Sequence, residues 1–95
     1  MPRRYQVSYS EKRISINPFE RIKAIGGRNP DGTRWRMNVN DVISNIEKGG
    51  MRFIVSNHTS KAEVVVEKSP MGWKYLKTTK DSTVPSTLLH LPDSL

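Results

Sequence analysis

Polar and apolar residues alternate near the start of the chain, with Tyr5, Val7 and Tyr9 set against Gln6, Ser8 and Ser10. That period of two suits a half-buried strand. Pro18 then interrupts, and the residue before it, Asn17, is biased towards extended backbone. Residues 1–18 therefore read as an N-terminal arm, either an ordered edge strand or a segment that a partner orders. Three alternating apolar side chains are more than a linker needs, which favours the strand. From Arg21 to Ile25 the chain is short and rich in β-branched residues, a strand over 20–26 that Gly26-Gly27 ends. Asn29-Pro30-Asp31-Gly32 is a turn signal: proline presets one dihedral and Gly32 takes the positive φ that closes a hairpin loop. Trp35 and Met37 then fall on one face, with Arg34 and Arg36 on the other, so 33–37 is the return strand.

The period changes next. Val39, Val42, Ile43 and Ile46 follow the i, i+3, i+4, i+7 spacing of one apolar helix stripe. Asn38 is placed as N-cap, Asp41 complements the positive helix end, and Gly49 supplies the left-handed stop. A helix of about ten residues is too short to stand alone, so it must lie on a sheet. Strands are predicted over 51–56, 61–68 and 73–78, separated by turns at Asn57–Ser60 and Ser69-Pro70-Met71-Gly72. Beyond Lys80 the period is lost, and an extended tail docks Leu88, Leu89 and Leu91 on the core.

These elements predict an α+β fold of β-β-α-β-β-β order. A single twisted, mostly antiparallel sheet of about five strands carries one short helix, with the arm as an addition. A right-handed crossover through the helix gives the strand order 33–37, 20–26, 51–56, 61–68, 73–78. Residues 19–95 form one domain that includes the docked tail. Its expected core is Ile22, Trp35, Val42, Ile43, Ile46, Phe53, Val55, Val64, Val66 and Tyr75 or Leu76. Val65 is apolar too, so both faces of that strand are candidates for cover.

The 95 residues suit one domain with a small core, since only 35% are hydrophobic. No apolar run is long enough to span a membrane and no signal-peptide pattern opens the chain. With no cysteine, a reducing cytoplasm is the expected compartment. The net charge of +7 is unevenly spread. Residues 1–36 carry nine basic groups against three acidic ones, and the rest of the chain is close to neutral. Such a concentration attracts polyanions over about a Debye length. The bland reading, a solubilising charged face, has equal standing.

A family resemblance emerges from a series of residues in order. It comprises Ile22…Ile25-Gly26-Gly27, Asn29-Pro30-Asp31-Gly32, Trp35, Val42-Ile43-x-x-Ile46-Glu47-x-Gly49 and Phe53-x-Val55. Val64-x-Val66, Lys74-Tyr75-Leu76-Lys77-Thr78-x-x-Asp81 and Pro85-x-x-Leu88-Leu89-x-Leu91-Pro92 follow. Over about 20–93 the chain resembles short bacterial proteins of domain-of-unknown-function family 3892. Many members of that family end in a cysteine; here Ser94 and Leu95 stand instead, so no thiol role carries over. The resemblance implies a domain boundary and no activity.

Candidate chemistry is sparse. His58 and His90 are far apart and lack the neighbours a metal site needs. Neither phosphate-loop spacing is present around Gly26-Gly27. No nucleophile stands beside a base in a recognisable constellation, and His58-Thr59-Ser60 reads as a polar turn. No cofactor and no catalysis are expected. The remaining candidates are the nine cations Arg3, Arg4, Lys12, Arg13, Arg21, Lys23, Arg28, Arg34 and Arg36, as a sequence-independent phosphate-contacting surface. Trp35 between two arginines, and the arm's tyrosines among cations, are elements of single-strand platforms, although Trp35 reads first as core. The alternative is a protein-interaction or accessory module of mobile-element or phage origin that recruits its partner through the arm or an edge strand. Nucleic acid or another protein is thus the expected partner, with no membrane and a monomer by default.

Overall fold

The computed structural model describes residues 3–16, 18–56, 61–81 and 85–93. Seven strands and two helices follow in the order β1 (Arg3–Val7), β2 (Tyr9–Lys12), β3 (Ile22–Arg28), β4 (Arg34–Asn38), α1 (Val39–Glu47), β5 (Met51–Ser56), β6 (Lys61–Lys68), β7 (Lys74–Thr78) and α2 (Ser86–Leu89). A 3-10 turn at Pro18–Glu20 precedes β3. The fold is α+β, but the strands make two sheets, one ordered β1-β5-β6-β7 and the other β2-β3-β4. The single five-stranded sheet expected from the sequence is therefore corrected. The expected neighbour of β5 was the strand at 20–26; instead β1 pairs with β5 in parallel, Tyr5 beside Phe53 and Val7 beside Val55.

The reason lies in the arm. Residues 3–12 run as one extended stretch that serves both sheets, changing partner at Ser8. Its first half joins β5 and its second half pairs antiparallel with β3, Tyr9 opposite Gly26 and Ser10 opposite Ile25. At the changeover, the Ser8 amide donates to the Gly26 carbonyl at 2.8 Å. This close approach accounts for the two glycines, which lie inside β3 rather than ending it. A Cβ on Gly27 would collide with the Gln6 carbonyl oxygen, and one on Gly26 would meet the Tyr9 ring. Glycine within a strand here marks a close approach of neighbours, not a turn.

Both proline–glycine hairpins form as their residues dictate. Asn29 and Ser69 open equivalent turns whose Gly32 and Gly72 have φ of +90°. The helix α1 ends where Gly49 takes a φ of +76°. Asn38 precedes it in extended geometry without a side-chain cap bond. The helix buries Val42 and Ile43 into one cluster with Val7, Ile22, Ile25, Phe53, Val55, Val64, Leu76 and Leu88. Trp35, Ile46 and Val66 pack on that cluster but are only partly buried. The choice between Tyr75 and Leu76 proves unnecessary: both are buried, Leu76 in the cluster and Tyr75 against Phe19 at 4.7 Å between ring centroids.

The tail is not wholly extended, since α2 supplies one helical turn that seats Leu88 completely. Two sets of polar contacts hold it. Asp81 accepts from the amides and hydroxyls of Thr78 and Thr87 at 2.9–3.1 Å. From the arm, Ser10 donates its amide to Pro92 and its hydroxyl to Leu88, and Lys12 reaches the Leu91 carbonyl at 2.6 Å and Asp93 at 2.9 Å. The turn at 57–60, with His58, lies outside the described residues.

Candidate nucleic-acid interface on the outer face of the larger sheet

Strand alternation decides which side chains leave the core. Tyr5, Val7, Phe53 and Val55 point inwards, so Arg4, Gln6, Arg52 and Ile54 point outwards, and the register places Glu63 beside Ile54. The turn end of the β3–β4 hairpin rises next to this outer face. Between them lies a cleft of about 680 Å³, lined by Arg4, Gln6, Arg28, Pro30, Arg52, Ile54, Lys61 and Glu63 among others. Its volume falls in the range of small-ligand sites. Four cations face one carboxylate.

That carboxylate is already engaged. Glu63 receives a two-pronged contact from Arg52, at 2.9 Å from Nε and 2.7 Å from Nη2. The Arg52 hydrogen bonds hold the Glu63 carboxyl below its ordinary range against the opposing effect of burial, with the charges of Arg52 and Arg4 adding to the lowering. Arg4, Arg28 and Lys61 make no side-chain hydrogen bond or ion pair among the described residues. Two like-charged pairs border the cleft: Arg4 stands directly across from Arg52, and Arg28 directly across from Arg34. Like charges opposite one another on a sheet destabilise it. Glu63 offsets the first pair through its contact with Arg52 and the nearby charge of Arg4, while no carboxylate is in bonding reach of Arg28 or Arg34 among the described residues.

The nine cations singled out in the sequence do not form one surface. Arg4 and Arg28 meet in the cleft, and Arg34 adjoins it through its pairing with Arg28. Arg3 is exposed at the start of β1, opposite Met51. Arg13 and Lys23 line a second, smaller hollow of about 380 Å³ with Phe19 and Asn38. The other three hold the fold together. Lys12 pins the tail, Arg21 donates to the Ser15 carbonyl at 2.9 Å, and Arg36 grips Glu11, with Nη2 3.0 Å from Oε1. The bond from Arg36 lowers the Glu11 carboxyl, partly opposed by desolvation. Arg52 and Lys61 were missed because they sit in the nearly neutral part of the chain. The available signal was alternation: Arg52 and Ile54 are the outward positions of a strand whose inward ones are Met51, Phe53 and Val55.

Among the described residues, no group of three or more His, Asp or Glu side chains is placed to hold a metal ion. None of their helices is long and apolar enough to cross a membrane. The chain belongs to a family described as "Protein of unknown function (DUF3892)", whose model matches residues 11–92. The match starts earlier than the resemblance drawn from the motifs and takes in the last two residues of β2, Glu11 and Lys12. No curated protein and no solved structure matches the chain.

Proposed function

We propose that this protein is a small, non-catalytic binding module of the reducing cytoplasm. Its outer sheet face takes the phosphate backbone of a nucleic acid without reading sequence. The single observation that carries this reading is the cleft in which Arg4, Arg28, Arg52 and Lys61 face one already-paired carboxylate, bordered by two like-charged arginine pairs. Guanidinium groups suit this task because their planar fork matches two phosphate oxygens at once. The cleft's two amide side chains are engaged within the fold, Gln6 with Ser56 and Asn29 with Thr33, so the contacts left to the cations position the backbone without selecting bases.

The test is a set of oligonucleotides of unrelated sequence titrated against the full chain over a series of salt concentrations. Affinities that agree across sequences and fall steeply with salt support the reading. Affinities that differ strongly by sequence, or binding absent at low salt, overturn it. A partner captured from the native host that stays bound at high salt favours the protein-interaction module instead.

A further inference from the structure

The tip of the β6–β7 hairpin carries an apolar surface that its turn does not require. Met71 and Trp73 are 68% and 55% exposed there. The β3–β4 hairpin provides an internal control. Both turns close with the same backbone bonds, Asn29 amide to Thr33 carbonyl and Ser69 amide to Trp73 carbonyl, and both place glycine at the same φ. In the β3–β4 turn, however, the corresponding side chains are Asp31 and Thr33; Thr33 donates to Asp31 and accepts from the Asn29 amide. One turn geometry is thus built once from polar residues and once with methionine and tryptophan held out in water. Packing does not explain the second choice, because neither side chain is in the core cluster.

We infer that Trp73 is a stacking platform for a base of a single-stranded nucleic acid whose phosphates lie in the cleft. This inference rests on the binding reading above and names the form of nucleic acid it takes. One cation at the tip is free for such a ligand: the Lys68 ammonium makes no bond among the described residues, whereas Lys74, across from it, is paired with Glu47 at 2.6 Å. Lys61, at the far end of β6, lines the cleft. Eight residue steps, an even number that keeps to one face of the strand, separate Lys61 from Ser69, whose amide bonds the Trp73 carbonyl; that is about 26 Å along a strand rising about 3.3 Å per residue. At about 3.4 Å per stacked nucleotide, that span is about eight nucleotides, within the site sizes of small single-strand binders. In a duplex the base faces are stacked on their neighbours, so Trp73 has no face to meet.

The test compares a single strand of about twelve nucleotides with the duplex of the same sequence, by fluorescence anisotropy at several salt concentrations. The wild type, Trp73→Ala and Trp73→Phe are each measured, and their thermal melts should coincide because the side chain lies outside the core. The expected result is a preference for the single strand. Trp73→Ala should weaken single-strand binding by about 5- to 150-fold, the contribution of one base stacked on an aromatic ring. The salt slope should stay unchanged, and Trp73→Phe should restore most of the loss. The strand should quench wild-type tryptophan emission, while the Trp35 emission that remains in Trp73→Phe stays constant. Equal binding of strand and duplex overturns the inference. So does a Trp73→Ala variant that binds as well as wild type with a normal salt slope, and the cleft reading then survives. If phosphatidylserine–phosphatidylcholine vesicles bind and Trp73→Ala loses them while strand affinity is unmoved, the tip contacts membranes and the inference is likewise wrong. No strand binding at low salt defeats both readings.

Discussion

Replacing Gly27 by alanine tests how the arm is built into the fold. The new methyl would point at the Gln6 carbonyl, with its oxygen far inside van der Waals contact, the carbonyl carbon 3.2 Å away and Trp35 Nε1 3.0 Å away. Backbone on one side and a packed ring on the other leave no flexible atom to yield. β1 must therefore separate from β3 by about 1 Å to restore an ordinary carbon–oxygen contact of about 3.3 Å. That shift strains the Ser8–Gly26 hydrogen bond and the Tyr5–Trp35 edge contact, now at 5.3 Å between centroids. Overpacking of this kind costs about 1–3 kcal/mol and a weakened hydrogen bond about 1 more, while alanine regains about 0.5–1 from backbone entropy. The net loss is about 1–3.5 kcal/mol, a fall in Tm of about 4–28 °C for a domain of this size. Gly26→Ala meets only the far end of the Tyr9 ring, which can swing aside, so its loss should be smaller. Circular-dichroism melts of both variants decide the matter. A Gly27→Ala variant within about 0.5 kcal/mol of wild type, or one more stable than Gly26→Ala, refutes the account of the strand changeover.

The remaining predictions concern the tail and the cations. At Asp81, burial raises the carboxyl pKa, but four bonds from Thr78 and Thr87 outweigh it and hold the group below its ordinary value. A depressed folded-state pKa stabilises the fold above the unfolded pKa of about 3.9, and that contribution is lost as pH falls through the folded value. Asp81→Ala should therefore cost about 2–4 kcal/mol at neutral pH in urea melts, with the gap narrowing below about pH 4. A gap that widens in acid contradicts the latch. Leu88→Ala should lose about 2–5 kcal/mol, because that side chain is fully buried and carries the docking of the tail; an unchanged melt means that α2 is not packed as described. Lys12→Ala should lower stability by about 1–2 kcal/mol through its bonds to Leu91 and Asp93 while leaving the salt slope of nucleic-acid binding intact. Arg28→Ala should do the reverse, with an unchanged melt and a slope reduced by about 0.7.

Local chemistry wrote most of the elements plainly into the sequence. Both Pro-x-Gly turns, the stripe Val39-Val42-Ile43-Ile46 and the strands at 51–56 and 61–68 follow from residues that interact with near neighbours. The sheet partition did not follow, because it depends on contacts between distant positions. Gly26-Gly27 has the composition of a turn, and only the Gln6 carbonyl and Tyr9 ring lying against it reveal its purpose. The arm was legible as a strand, but its two partners, β5 for one half and β3 for the other, have no signature in a pattern of period two. The cleft shows the same limit. Charge density along the chain pointed to the first third, yet Lys12, Arg21 and Arg36 spend their charge on the fold, and Arg52 and Lys61 arrive from later strands.

The central claim is that the cations of the outer sheet face, and not the net charge of the chain, hold the phosphates. It is tested most directly by measuring the salt dependence of single-strand binding for wild type and for a variant carrying Arg4→Ala, Arg28→Ala and Lys61→Ala. These three side chains are exposed and lack partners among the described residues, so the variant should melt like the wild type. With the three unpaired cations engaged and Arg52 held by Glu63, the wild-type plot of log affinity against log salt should have a slope of about −2.1, at about −0.7 per phosphate on a single strand. The variant should fall to a slope near zero and bind only weakly at low salt. A variant that keeps the wild-type slope and affinity places the binding elsewhere and contradicts the claim.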